Sequence, residues 1–151
     1  MIEYRIESKT FGDLADDLLA SGLGFRFQAG GRSMLPLIND GEILHVQRAN
    51  AATLKVGDIV LFRQGAKFKA HRIIRKQQDQ FITRGDAGVD ADGAIHGKEI
   101  VGKVVAKECA GTDSLTCLEG WRVRLKFRLL RLQRGTRLAV KQLNMYRMYR
   151  P

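Results

Sequence analysis

Residues 56–74 read VGDIVLFRQGAKFKAHRII, and this stretch decides the fold class. The apolar run 59–62 follows a Gly-Asp turn signal, and residues 64–66 separate it from a second run at 68–74. Short runs rich in β-branched and aromatic residues, joined by a glycine-containing connection, are typical of a β-hairpin. The stretch therefore predicts two antiparallel strands.

Comparable short segments lie on both sides of this hairpin, each bounded by turn residues. They are residues 25–28, 43–46, 80–83 and 102–106. Half a dozen such strands predict a mainly β protein with a coiled or barrel-like sheet. Residues 10–21 are the exception, since their apolar side chains recur at helical spacing between a possible N-cap, Thr10, and a stop at Gly22. We expect a short N-terminal helix there.

The chain has 151 residues and a net charge of +10, which suits one domain with a charged appendage. From Trp121 onward there are ten Arg or Lys residues and no Asp or Glu, so the rest of the chain is neutral. We predict an N-terminal helix segment at 1–23, a β domain at 24–110 and a basic C-terminal extension at 111–151. The sequence leaves open whether the extension is strand or helix.

Several classes of protein are disfavoured by what the sequence lacks. No run reaches the eighteen apolar residues of a membrane-spanning helix, and the N-terminus does not resemble a secretory signal. Cys109 and Cys117 have no zinc-site spacing, so no metal or organic cofactor is predicted. The expected location is the cytoplasm, with two reduced thiols.

Three segments carry residues suited to nucleophilic catalysis. Ser33 follows two glycines and precedes Pro36 by three positions, which indicates a shaped, exposed turn. His71 is of the type that accepts a serine proton near neutral pH. A carboxylate behind its ring would fix the tautomer. Lys69 lies on the same predicted strand face as His71 and is, with Lys67, an alternative base.

The order of these segments resembles the signal peptidase I superfamily of serine peptidases, the S24 and S26 families, which includes self-cleaving repressor proteases. Ser33-Met34-x-Pro36 is similar to the nucleophile box, and residues 56–60 to the strand that follows it. His71-Arg72-Ile73 is similar to the base box and Gly85-Asp86 to the start of the last one. The resemblance covers about residues 24–106 and implies the mainly β fold of those enzymes.

The resemblance also implies roles for individual residues. Ser33 would be the nucleophile and His71 the general base, as in the archaeal and endoplasmic-reticulum type that uses Ser, His and Asp. The spacing of that type places the orienting aspartate at Asp92, and a one-residue gap would place it at Asp90. Asp86 would be a structural carboxylate near the site. Met34 and Pro36, in the nucleophile box, are expected to contact the substrate.

Two departures from the family pattern affect these expectations. The family commonly has a serine two residues before the nucleophile, where its hydroxyl helps to stabilise the oxyanion, and this chain has Gly31. The family is also usually anchored by an N-terminal membrane helix. Residues 121–150, in which aromatic and leucine side chains alternate with arginine, are expected to attach the protein peripherally to an anionic membrane surface. A protein partner ranks second for this segment and nucleic acid third.

The predicted reaction is hydrolysis of a peptide bond through an acyl-enzyme at Ser33. Two alternatives remain open at this point. One is a self-cleaving regulator, which would cut its own chain at an Ala-Gly bond. Such bonds occur at 29–30, 87–88 and 110–111. The other is a non-catalytic peptide-binding module, which the missing serine at Gly31 favours.

Overall fold

The structure is a computed structural model that describes residues 15, 17–18, 20–65, 67–109 and 115–118. Eight strands and two short 3-10 helices form in this part of the chain. The strands are β1 (Phe25–Gln28), β2 (Ile43–Gln47), β3 (Ile59–Gln64), β4 (Lys67–Gln77), β5 (Gln80–Arg84), β6 (Ala94–His96), β7 (Ile100–Glu108) and β8 (Leu115–Cys117). The 3-10 helices are η1 (Ala51–Thr53) and η2 (Gly97–Glu99).

The eight strands form one antiparallel sheet in the order β1-β2-β7-β3-β4-β5-β6, with β8 paired to β7. The register shifts between His45 and Val46, between Leu61 and Phe62, and between Ile73 and Arg75. Such bulges bend the strands that carry them, and the sheet is curled. The prediction of a mainly β, coiled or barrel-like fold is confirmed.

The predicted hairpin of β3 and β4 lies at the centre of this sheet. Gln64 pairs with Lys67, so two residues connect the strands, and the first of them, Gly65, has a φ of +61°. Positive φ at that position is what a tight hairpin turn requires and what glycine supplies at no steric cost. The long strand β4 then pairs with β3 through its first half and with β5 through its second.

The core consists of two clusters, and β3 contributes to both. Ile59 and Leu61 pack into the first cluster, whereas Val60 and Phe62 pack into the second. Because side chains alternate across a strand, an apolar run is what a strand buried on both faces needs. The first cluster also holds Met34, Ile38, Leu44, Val46, Val104 and Leu118, and the second holds Leu54, Ile73, Phe81 and Ile95.

The ends of the chain fall mostly outside the described residues. Of the predicted helix at 10–21, the backbone is helical at residues 15, 17, 18 and 20. Leu23 donates its N–H to the Leu18 carbonyl across Gly22, whose φ is +77°. This is the left-handed glycine ending of a helix, at the residue where the sequence predicts a stop.

The predicted basic extension at 111–151 lies outside the described residues except for 115–118. Residues 115–117 form β8, and Leu118 belongs to the first core cluster. In the part of the chain that the structure describes, no helix is long and apolar enough to cross a bilayer.

Candidate active site

Ser33 lies in the turn that connects β1 to β2. Gly31 enters this turn with a φ of +93° and donates its N–H to the Asp40 carboxylate at 2.7 Å. Met34 follows, and its side chain is buried in the first core cluster while its carbonyl accepts the N–H groups of Leu37 and Ile38 at 3.0 Å each. The core thus anchors the turn through Met34 and leaves the neighbouring Ser33 exposed.

His71 lies in the first half of β4, opposite Val60 of β3. Its side chain is 12% exposed. Nε2 of the ring is 3.0 Å from Oγ of Ser33, although the two residues are 38 positions apart in sequence. The fold therefore brings the hydroxyl and the imidazole into hydrogen-bond contact at the surface of the sheet.

Asp92 lies behind the imidazole ring. Its Oδ2 is 2.6 Å from Nδ1 of His71 and also accepts a hydrogen bond of 2.9 Å from the Thr83 hydroxyl. A carboxylate only accepts hydrogen bonds, so Nδ1 carries the proton and donates. In the neutral ring Nε2 is then an acceptor directed at the Ser33 hydroxyl.

The pKa of Asp92 is lowered from its ordinary value by its surroundings. Burial favours the neutral acid and acts to raise the pKa, but the hydrogen bonds from His71 and Thr83 outweigh it, with the charges of His71 and Lys69 adding to them. Asp92 is therefore a carboxylate at neutral pH. An anion in this position stabilises an imidazolium that forms next to it.

Gly85 allows the last segment of the site to pack against the first two. A Cβ placed on Gly85 would lie 2.6 Å from the Ser33 carbonyl oxygen and 3.2 Å from Nε2 of His71. Two residues later, Ala87 donates its N–H to the same Ser33 carbonyl at 2.8 Å. Only a residue without a side chain fits between the serine and the imidazole at this distance.

One comparison with known proteins identifies the family of this chain. A family model described as Peptidase S24-like matches residues 4–105, about two thirds of the chain. The chain belongs to the Peptidase S24-like family. The matched residues include Ser33, His71 and Asp92. No curated protein matches the chain.

Membership of the Peptidase S24-like family makes the placement of the other two predicted carboxylates informative. Asp90 is exposed in the loop before Asp92, and the carboxylate in contact with Nδ1 of His71 is that of Asp92, so the orienting role stays a prediction for which the geometry favours Asp92. Asp86 is buried and accepts two hydrogen bonds from Arg72, at 2.9 and 2.7 Å. Its carboxylate thus belongs to an ion pair below the site and not to the ring of His71.

The two residues expected to contact a substrate differ in exposure. Met34 is 5% exposed as part of the core, whereas Pro36 is exposed on the same turn. Substrate contact stays a prediction for both. The alternative base Lys69 points to Asp92, with Nζ 3.5 Å from Oδ1, while the Ser33 hydroxyl is taken by His71.

The Ser33 turn has no hydroxyl at the position where the family commonly has a serine. That position is Gly31, and its N–H donates to the Asp40 carboxylate at 2.7 Å. Among the described residues, the backbone N–H of Ser33 donates to no backbone carbonyl. Backbone N–H groups are the usual donors where an oxyanion of acyl transfer is stabilised.

Two features of the site were not predicted from the sequence: the hydroxyl of Thr83 on Asp92 and the contact of Lys69 with the same carboxylate. Their signals were available in part, because Thr83 is a polar residue in an otherwise apolar strand position and Lys69 is two residues from His71. Within the described ranges, no group of three or more His, Cys, Asp or Glu side chains has the arrangement of a metal site.

Proposed function

We propose that this chain is a serine endopeptidase in which Ser33 is the nucleophile, His71 the general base and Asp92 the orienting carboxylate. One observation carries the proposal: a continuous hydrogen-bonded chain from the exposed Ser33 hydroxyl through both ring nitrogens to a buried anion, at 3.0 and 2.6 Å. An unassisted serine hydroxyl is a weak nucleophile, and an adjacent base oriented by a third group is the general way of activating it.

The geometry supports the following sequence of steps. Nε2 of His71 takes the hydroxyl proton as Oγ of Ser33 attacks the scissile carbonyl, and the Asp92 carboxylate stabilises the imidazolium. The negative oxygen of the tetrahedral intermediate accepts a hydrogen bond from the Ser33 backbone N–H. The imidazolium then protonates the leaving amine, which leaves an acyl-enzyme, and water attacks the ester with His71 again as base.

The Ser-His-Asp set is also the reason for the finer assignment. In the superfamily that the sequence resembles, a histidine base with an aspartate is the pattern of the archaeal and endoplasmic-reticulum signal peptidases. We therefore place this chain closer to that type than to the lysine-based enzymes. The substrate is a peptide or protein segment, held next to Ser33 by residues of its turn, with Met34 and Pro36 as the proposed contacts.

The experiment uses the full chain and a fluorophosphonate probe, which phosphonylates activated serines with loss of fluoride. We expect a single adduct on Ser33 by peptide mass spectrometry, and cleavage of members of an unstructured peptide library. Ser33→Ala abolishes both, and His71→Gln lowers the rate of labelling about 10³-fold or more.

A matched control for the histidine is present in the same sheet. Nε2 of His45 is 2.6 Å from a Glu108 carboxylate oxygen, so this residue has a carboxylate partner but no serine contact among the described residues. His45→Gln is expected to label at the parent rate. Labelling of Ser33 that persists unchanged in His71→Gln, or labelling of other serines only, would refute the proposal.

A self-cleaving regulator is the second candidate, because the superfamily includes such repressor proteases and one of the Ala-Gly bonds is in the active-site loop. The N–H of Ala87 is already held by the Ser33 carbonyl, which places the bond 87–88 next to the nucleophile. Intact mass after prolonged incubation distinguishes the candidates. Cleavage at a rate independent of protein concentration, absent in Ser33→Ala, favours self-cleavage.

We also propose that residues 121–150 attach the protein to an anionic membrane surface from the cytoplasmic side. The support is the charge pattern of the sequence, ten basic and no acidic residues interleaved with aromatic and leucine residues. We expect the chain to co-sediment with vesicles that contain anionic lipid and not with neutral vesicles. A variant with glutamine at positions 122, 124, 126 and 128 should lose this binding. Equal binding to both vesicle types would contradict it.

A further inference from the structure

The carboxylate of Asp92 has partners on both of its oxygens. Oδ2 accepts hydrogen bonds from Nδ1 of His71 at 2.6 Å and from the Thr83 hydroxyl at 2.9 Å. Oδ1 faces Nζ of Lys69 at 3.5 Å. The side chain of Asp92 is 10% exposed, so these contacts replace most of the water that a free carboxylate would have.

The positions of Lys69, His71 and Thr83 on two neighbouring strands explain why all three contact Asp92. Lys69 and His71 are two positions apart on β4, and strand alternation directs their side chains to the same face. Thr83 belongs to the neighbouring strand β5, and its carbonyl also accepts the backbone N–H of Asp92 at 2.8 Å. Asp92 is thus held to Thr83 by a main-chain and a side-chain hydrogen bond, and to β4 by two cationic or polar groups.

We propose that Lys69 and Thr83 are positioning residues that fix the Asp92 carboxylate against rotation and keep it ionised for His71. The inference rests on the proposed function for its consequence in catalysis. A carboxylate with one engaged oxygen can turn about its Cβ–Cγ bond, whereas donors on both oxygens hold the plane of the group. In the plane that is observed, one oxygen faces Nδ1 of His71.

The two residues contribute in different ways. Thr83 is fully buried, so its hydroxyl is a fixed donor in a dry environment, where a hydrogen bond to an ionised group is strong. Lys69 is 38% exposed and 3.5 Å from Oδ1, so its effect is a partly screened charge interaction. The ammonium stabilises the carboxylate and occupies the oxygen that does not face His71.

Loss of the Lys69 ammonium removes the partner of Oδ1, so the plane of the Asp92 carboxylate is held less firmly toward Nδ1 of His71. Lys69→Met is therefore expected to slow the labelling of Ser33 about threefold, as suits a partly exposed charge pair.

A matched control for Lys69 is Lys67, which has the same charge on the same strand face but is exposed at the start of β4. Lys67→Met should label at the parent rate.

The test measures two quantities on the full chain at one neutral pH. One is the rate of fluorophosphonate labelling at Ser33, and the other is the downfield proton resonance of the His71 Nδ1–H that is hydrogen-bonded to Asp92. Lys69→Met is expected to slow labelling about threefold, and Lys69→Arg to restore the rate. Thr83→Val is expected to slow labelling about tenfold and to move the Nδ1–H resonance upfield, and Thr83→Ser to recover most of both.

A structural role alone would not produce this pattern. In an Asp92→Asn background, Lys69→Met and Thr83→Val should cause no further loss of labelling, because the carboxylate through which both residues act is gone. Labelling rates of both variants that equal the parent, or equal losses in the Asp92→Asn background, would overturn the proposal. If the parent chain is not labelled at all, the peptidase proposal fails, and the Nδ1–H resonance of His71 in the Lys69 and Thr83 variants still decides the positioning role.

Discussion

The backbone N–H of Ala87 donates a 2.8 Å hydrogen bond to the carbonyl oxygen of Ser33. This bond joins the turn between β1 and β2 to the loop that follows β5, so two distant segments hold the nucleophile from both sides. The loop itself is closed by a second bond of 3.0 Å, from the N–H of Gly88 to the carbonyl of Gly85. Ser33 is therefore held by its main-chain carbonyl, while its hydroxyl contacts Nε2 of His71.

Gly85→Ala is expected to uncouple Ser33 from His71. The added Cβ would lie 2.6 Å from the Ser33 carbonyl and 3.2 Å from Nε2, so the two groups must separate. A displacement of about 1 Å at a reacting centre lowers rates about 10²-fold, and overpacking of this kind costs about 1–3 kcal/mol of stability. Fluorophosphonate labelling and urea unfolding measure the two effects.

Gly88→Ala is the matched control for that substitution. Its Cβ would meet nothing closer than 3.5 Å, in the same loop and with the same change in composition. We expect labelling within about twofold of the parent, since ordinary van der Waals contact requires no movement. Equal loss of labelling in both variants would mean that the loop and not the contact with Ser33 is responsible.

Asp92→Asn and Asp90→Asn form a second matched pair. Asparagine at 92 keeps the shape but replaces the anion and permits the wrong ring tautomer, which in serine enzymes with this arrangement lowers kcat about 10³- to 10⁴-fold. Asp90 is exposed and does not contact the ring. The labelling rate of Asp90→Asn should equal that of the parent, and the opposite ranking would reassign the orienting role to Asp90.

The fold was largely predictable because its signals are local. The apolar run 59–62 and the connection at Gly65 specify a strand and a turn without reference to the rest of the chain. The position of β3 at the centre of the sheet was not specified, because it depends on pairing with β7, some forty residues away in sequence. The short strand β8, with exposed side chains, has no apolar pattern to reveal it.

The site was predictable in its residue types and less so in its geometry. Sequence spacing left Asp90 and Asp92 as alternatives, because the path of the loop after Gly85 is set by contacts across the fold. The hydrogen bond from the Asp92 N–H to the Thr83 carbonyl fixes that path. Likewise, glycine is needed at position 85 because the carbonyl of Ser33 packs against it. This contact joins distant parts of the chain, so no local sequence pattern indicates it.

The buried Glu42 is expected to make folding stability depend on pH. Both of its oxygens are 2.8 Å from Nζ of Lys107, and Asn39 donates to them from its backbone and side chain. Burial acts to raise the pKa of Glu42, but the hydrogen bonds from Lys107 and Asn39 and the charge of Lys107 lower it overall. A depressed folded-state pKa gives stability that is complete above the ordinary pKa of Glu and is lost as pH falls through the folded value.

Glu42→Gln tests this sign. At pH 7 the variant leaves the buried ammonium of Lys107 without a counter-ion, at a cost of about 3 kcal/mol. The difference from the parent should narrow as pH falls from the ordinary pKa of Glu through the lower folded value, because the parent then protonates Glu42. Urea midpoints at a series of pH values measure it, and a gap that stays constant or widens toward low pH would contradict the prediction.

Asp86 and Arg72 form a buried ion pair whose expected role is structural. The guanidinium donates Nε and Nη2 to the two oxygens of Asp86, at 2.9 and 2.7 Å, and Nη1 to the carbonyl of Gly57 at 2.7 Å. Both side chains are 2% exposed or less. Removing one partner of such a pair costs about 3–5 kcal/mol, because the other charge stays buried.

Asp86→Asn should therefore lower the free energy of unfolding by about 3 kcal/mol, while protein that remains folded still labels at Ser33 within about tenfold of the parent. The double variant Asp86→Leu with Arg72→Met removes both charges and should recover much of the stability, since apolar groups of similar volume often replace a buried pair without loss. Urea unfolding measures the stability. Labelling at low temperature without denaturant measures the reactivity of Ser33 separately. Parent-like stability of Asp86→Asn together with loss of labelling would instead make Asp86 part of the catalytic machinery, because only a role in the chemistry lowers activity while the fold stays intact.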